Sequence, residues 1–159
     1  MKALLSVLII LFLGSSYLLV GNLDGTGNVI SVDREELVFV SKVIDGDTIV
    51  ANGEHIRLLG MDADERGYDC YKEAKLKLEE WILDKEVVLE KDVTNKDQYK
   101  RLLRYVILDG ENINIKLVEE GLAVARFYRD RKYEVEILGA EKAARGAGIG
   151  CKWGKIDGN

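Results

Sequence analysis

Hydrophobic positions along this chain follow two different periods once past an unbroken apolar run near its start. Leu37–Ile44 (LVFVSKVI) alternates loosely and is rich in β-branched residues, which predicts a strand. Asp45-Gly46 reads as a turn, and Thr48–Ala51 resumes the extended pattern. Asn52-Gly53 is a strong two-residue hairpin signal, so Glu54–Gly60 (EHIRLLG) is expected to run back as a third strand. The period then changes: Ala74, Leu78, Trp81 and Ile82 recur at helical spacing and predict a helix that ends at Lys85. Val87–Glu90 and Leu102–Leu108 (LLRYVIL) read as a fourth and a fifth strand, the latter closed by Asp109-Gly110. Two more helical faces follow, Ile113/Leu117/Val118/Leu122 up to Gly121 and Tyr133/Ile137/Ala140/Ala144 up to Gly146–Gly150. Five strands and three helices in this order indicate an α+β domain, with a small closed barrel as the natural way to remove the sheet edges.

The apolar start sets a separate question. Met1-Lys2 precedes Ala3–Leu13, and small residues at Gly14 and Ser16 follow, as in a secretory signal. Taken as one stretch, residues 3–20 are also long enough for a marginal membrane anchor. Export of the domain is expected either way, secreted or membrane-anchored. The expected organisation is a leader at 1–20, a linker at 21–36, a domain at 37–154 and a tail at 155–159. Cys70 and Cys151 are too far apart for a zinc pattern. Outside the cytoplasm they can form one disulfide, with two free thiols as the alternative.

Composition narrows the chemistry. A chain of 159 residues that is 47% hydrophobic and 32% charged can bury a core, so a disordered tail is excluded. It contains no proline, so its turns rest on Gly, Asn and Asp. The net charge of −5 argues against holding a polyanion by global attraction, and any phosphate site must be a local cluster or use a cation. Three motifs supply such a cluster. Asp45-Gly46-Asp47-Thr48 sits at a turn, Arg57 through Glu65 (RLLGMDADE) runs from strand into loop, and Asp97-Gln98-Tyr99-Lys100-Arg101 precedes a strand. Oxygen-rich carboxylates suit a hard divalent cation, and guanidinium forks match phosphate oxygens. Arg57 lies within an apolar strand, where a charge requires a partner. His55, the sole histidine, pairs with nothing in any motif and is assigned to the fold or the surface.

In this order and spacing, KVIDGDT, RLLGMDADE, DQYKRLLRYV, NIKLVEEGLA and GIGCKW resemble the thermonuclease family, over about Val38 to Trp153. The resemblance implies a five-stranded oligonucleotide/oligosaccharide-binding (OB-fold) barrel with three helices. It implies a Ca²⁺ site at Asp47, Asp62 and the backbone carbonyl of Ala63, and catalytic side chains at Arg57, Glu65 and Arg101. Tyr99 matches a tyrosine that contacts a substrate phosphate. Tyr128 matches a base-packing tyrosine, in a segment (GLAVARFY) one residue shorter than usual. The implied reaction is hydrolysis of DNA and RNA phosphodiesters to 3′-phosphate ends, by a monomer that needs no protein partner. Glu65 would orient or deprotonate the attacking water. In the metal loop the family commonly reads Asp-Thr-Pro-Glu, whereas this chain has Asp62-Ala63-Asp64-Glu65. Asp64 is therefore expected to add a carboxylate beside the cation.

Two other readings compete. A noncatalytic barrel that binds single-stranded nucleic acid would need stacking platforms and basic grooves, and has no use for the full carboxylate and arginine set. A calcium-binding module without substrate leaves Arg57 and Arg101 unexplained.

Overall fold

The structure, a computed structural model, describes residues 36–154; the expected leader, nearly all of the linker and the tail lie outside the described residues. Strands β1 (Glu36–Val43), β2 (Thr48–Ala51) and β3 (Glu54–Leu58) form an antiparallel meander, followed by a short β4 (Met61–Ala63) and helix α1 (Tyr71–Ile82). Then come β5 (Glu86–Glu90), β6 (Leu102–Leu108), a two-residue β7 (Glu111–Asn112) and α2 (Ile113–Glu119). The domain ends with β8 (Ala123–Ala125), α3 (Glu134–Ala147) and a single turn, α4 (Gly150–Trp153).

The main sheet runs β3-β2-β1-β5-β6-β7, and a parallel pairing of β3 with β6 closes it. Five strands thus form the closed barrel of an OB-like α+β fold. β1 serves two neighbours, pairing with β5 through Glu36–Phe39 and with β2 through Val40–Val43. A register shift between Val40 and Lys42 lets it bend from one to the other. Side chains alternate in and out as the pleat requires: Ile56 and Leu58 of β3 and Val87 and Leu89 of β5 are buried. The Asn52-Gly53 turn has positive φ at both residues, as a tight hairpin of this kind needs.

Expectation and structure differ at several places. The third strand stops at Leu58 rather than Gly60, because Gly60 adopts φ of 75° and redirects the chain. A Cβ at Gly60 would stand 2.5 Å from the end of Ile137, so the corner also packs tightly against α3. Beyond it, β4 pairs with β8 in a separate two-stranded sheet that the sequence periods did not reveal. Helix α1 ends at Ile82, before a turn with Asp84 at φ of 58°. The Gly-rich end continues into α4, a fourth helix, fastened by a disulfide between Cys70 and Cys151. Their Cα atoms are 5.3 Å apart, within the usual span for such a bond.

The helices pack as their faces predict, with Ala74, Leu78 and Ile82 of α1, Ile113, Leu117 and Val118 of α2, and Ile137, Ala140 and Ala144 of α3 buried. One buried polar side chain stitches these layers together. The Asn114 carboxamide accepts the Val106 N–H at 3.0 Å and donates to the carbonyls of Leu59 at 2.9 Å and Arg104 at 3.3 Å. It ties α2 to the barrel strand β6 and to the corner after β3. Among the described residues no helix is long and apolar enough to cross a membrane.

Because a buried backbone group left without a partner is costly, Asn114→Leu should lower unfolding stability by about 2–4 kcal/mol. Urea denaturation of parent and variant measures it, and a loss under ~0.5 kcal/mol would remove Asn114 from this role.

Candidate functional site

The turn between β1 and β2 is shaped by its own side chains. Asp45 accepts the Asp47 N–H at 3.1 Å, a local Asx turn. Gly46 lies against β4 and α1 so closely that a Cβ would meet Ala63 Cβ at 2.6 Å and Ala74 Cβ at 2.8 Å. The Asp47 side chain points inward, and the residue is only 5% exposed. It accepts the Thr48 hydroxyl at 2.9 Å and the Ala63 N–H at 3.2 Å. Arg57 stands opposite Thr48 in the β2–β3 register. Its guanidinium pairs with Asp47 through one nitrogen and with Asp62, at 2.6 Å, through the other.

The chain of charges continues in both directions. Asp62, on β4, also binds Arg126 at 2.7 Å from the far side. On the other flank, Arg101 donates to Thr48 Oγ1 at 3.2 Å and to Asp97 at 2.7 Å. Asp97 in turn accepts the N–H groups of Tyr99 and Arg101, which fixes the loop before β6. Arginine and aspartate alternate along this line: Asp97, Arg101, Asp47 (through Thr48), Arg57, Asp62, Arg126.

Burial raises the Asp47 carboxyl to about 6, against the lowering effect of Arg57, with Asp45 adding to the rise. Burial works against the charged form of Asp97 too, but hydrogen bonds from the Arg101 side chain and amide hold that carboxyl below its ordinary value. The hydrogen bond to Asp62 raises Arg126, so its charge is secure.

The remaining expected residues are placed differently. Glu65 lies exposed in the loop after β4, and its carboxylate makes no ion pair or hydrogen bond with another described residue. Tyr99 and Tyr128 are 71% and 72% exposed, each with an arginine over its ring at 5.5 Å, Arg101 and Arg126 respectively. Ala63 is buried beside Asp47 and reaches it through its amide. The expectation for Asp64 is corrected. Its carboxylate accepts the Cys70 N–H at 3.1 Å and pairs with Lys152, because the free amides that start α1 and the nearby ammonium draw it away.

Sequence reasoning missed Arg126 and Lys152. The signal for Arg126 is the β4–β8 register, which pairs Asp62 with Val124 and puts residue 126 two further along the same face. That register is not readable from residue spacing.

Among the described residues no three His, Cys, Asp or Glu side chains stand together as a closed metal cage. Asp47 and Asp62 nevertheless share Arg57, and a buried carboxylate with a raised pKa is poorly compensated. A pair of carboxylates so placed fits a hard cation that completes its shell with water and phosphate oxygens.

Comparison with known proteins points the same way. The family model described as staphylococcal nuclease homologue matches residues 55–153. A protein named Thermonuclease from Staphylococcus intermedius is 38% identical over 138 residues, covering 78% of this chain and 81% of the relative. Another Thermonuclease, from Staphylococcus hyicus, is 38% identical over 125 residues, 70% of this chain and 73% of the relative. A Haemophilus influenzae protein named Uncharacterized endonuclease is 31% identical over 116 residues, 70% of this chain and 63% of that one. With its closed barrel, its charge-paired cleft and these matches, the chain belongs to the staphylococcal nuclease homologue family.

Proposed function

We propose that this chain is a calcium-dependent nuclease that hydrolyses phosphodiester bonds of DNA and RNA and leaves 3′-phosphate ends. The observation that carries the reading is Arg57, a guanidinium in a barrel strand held between Asp47 and Asp62. Phosphate and cation can divide that cluster between them. Asp47, Asp62 and the Ala63 carbonyl are the groups that would hold Ca²⁺, which supplies charge neutralisation at the scissile phosphate. Arg57 and Arg101 grip its non-bridging oxygens as negative charge grows there. Asp97 and Thr48 keep the Arg101 fork aimed at the cleft. Glu65, exposed and uncommitted, orients or deprotonates the attacking water. Tyr99 and Tyr128 offer a phosphate contact and a base-packing ring at the two flanks. The acidic chain needs no basic surface, since the anion site is local.

The enzyme acts as a monomer outside the cytoplasm, secreted or anchored through residues 3–20. The Cys70–Cys151 disulfide supports an oxidising compartment. Fractionation of the cells that make it should find cleavage activity outside the cytoplasm, in protein without alkylatable thiols. Two modifiable cysteines in that fraction would oppose the assignment.

Chelator should abolish cleavage of single-stranded DNA, calcium should restore it, and magnesium should restore less, because it holds its waters more firmly. End-labelling should show 3′-phosphates. Cleavage that survives chelation, or 5′-phosphate products, contradicts the mechanism.

Glu65→Gln and Arg101→Ala should each lower kcat by about a hundredfold or more while the fold persists. This separates the enzyme from a noncatalytic binder of nucleic acid. If turnover in both stays within about threefold of the parent, the assigned roles are wrong.

A further inference from the structure

Residues 65–69, all exposed, connect β4 to α1, and Glu65 is the first of them. This loop has little of its own to hold it. Tyr68 N–H donates to the Glu65 carbonyl at 3.1 Å, and Tyr71 N–H to the Tyr68 carbonyl at 3.2 Å. Gly67, with φ of 101°, has nothing within 4 Å of where a Cβ would stand. Tyr68 is exposed, and Arg66 lies over the Tyr71 ring at 5.9 Å. A loop with so few buried apolar contacts takes its position from its ends.

Both ends are fastened to α4. At the start, Asp64 pairs with Lys152, and both side chains are largely covered. At the end, Cys70 is bonded to Cys151, the residue next to Lys152. The Asp64 carboxylate also spans the loop by accepting the Cys70 N–H at 3.1 Å, so the two fastenings form one unit. α4 is itself firmly seated, since Lys152 N–H donates to the Gly121 carbonyl at 2.9 Å. A Cβ at Gly121 would stand 1.9 Å from the Ile149 carbonyl oxygen, so the turn after α2 and the start of α4 pack backbone to backbone. Where the family commonly has a proline, whose ring fixes the backbone, this chain has Asp64, fixed by its partners instead.

We propose that α4 is a clasp that positions Glu65, with Lys152 and the Cys70–Cys151 disulfide as its two fastenings. It rests on the nuclease reading for the role of Glu65. Lys152 is a positioning residue: it touches neither substrate nor cation and acts through Asp64. A displacement of about 1 Å in a reacting group can cost on the order of a hundredfold in rate, so a loose loop makes a slow enzyme. The clasp also makes activity depend on redox state. A dithiol reductant gives two electrons and two protons to the disulfide, closes to its own disulfide, and leaves Cys70 and Cys151 as thiols. In a reducing cytoplasm the cysteines stay thiols. The chain is then held at low activity while it shares a compartment with the nucleic acid of its own cell.

Trypsin reports on the clasp without catalysis, since the Arg66–Gly67 bond lies in the loop. The full-length protein is digested briefly in the absence of nucleic acid, and the cut after Arg66 is followed by mass spectrometry. Lys152→Gln, which keeps the disulfide, should be cut there at least about threefold faster than the parent, with cuts elsewhere unchanged. Reduction by dithiothreitol should act the same way and reverse on reoxidation. Lys152→Arg should behave as the parent, because it restores the ion pair. On single-stranded DNA with calcium, Lys152→Gln should lower kcat roughly fivefold to twentyfold and leave KM within about twofold, as expected for loss of a positioning contact. In a Glu65→Gln background the same substitution should lower kcat no further, because its effect passes through Glu65. Parental rates of the Arg66 cut in both Lys152→Gln and the reduced protein overturn the clasp, whether or not the parent cuts DNA. So does an undiminished effect of Lys152→Gln in the Glu65→Gln background. Faster cutting by trypsin in a protein without nuclease activity would retain the clasp and reject the nuclease reading.

Discussion

The parallel pairing of β3 with β6 is the constraint on which the rest of the molecule depends. It sets Ile56 beside Leu102, Arg57 beside Leu103 and Leu58 beside Arg104. Without it the meander β1–β3 and the later strands would be an open sheet with two bare edges. With it, the residue just before β6 is delivered to the strand that carries Arg57. Parallel strands need a long crossover, and here that connection includes β4, α1 and β5. The loops that hold Glu65 and Tyr99 are thus parts of the segment that closes the barrel.

Closure also places much of the site's charge away from the surface. Asp47 is buried, and Arg57 is largely covered. Each charge on the line has an opposite neighbour, although burial still outweighs Arg57 at Asp47. Three aspartates and three arginines cancel. A divalent cation bound there alone would leave an excess of positive charge, which a phosphate would reduce. This fits a protein whose overall charge is −5 and whose affinity for an anion must be made locally.

Much of this was readable in the residues. The period-2 segments, the Asn52-Gly53 turn and the three helical faces became the elements they suggested, because local pattern and tertiary burial agree there. Arg57 in an apolar strand required a carboxylate, and it has two. The parts that stayed hidden depend on distant register. β4 and β8 are three residues each, too short to show a period, and only their pairing brings Arg126 to Asp62. Asp64 looked like a site carboxylate from its neighbours in sequence. Its position ahead of α1, and a lysine 88 residues away, turn it elsewhere. Asn114 was not singled out beside the apolar face of its helix, yet it is a buried junction whose three partners come from β6 and the corner after β3.

The disulfide has a topological consequence. Joining Cys70 to Cys151 turns the intervening chain into a covalent ring, with the two cysteines 81 positions apart. Tyr99, Lys100, Arg101 and Tyr128 lie on the ring, while Asp47, Arg57, Asp62 and Glu65 lie on the arm that precedes it. Within the site the two halves meet through strand pairing, ion pairs and hydrogen bonds such as that of Arg101 to Thr48. A single protease nick within the ring leaves every site residue tethered, whereas a nick within the arm severs the carboxylates upstream of the cut. Part of that arm is protected as the barrel strands β2 and β3.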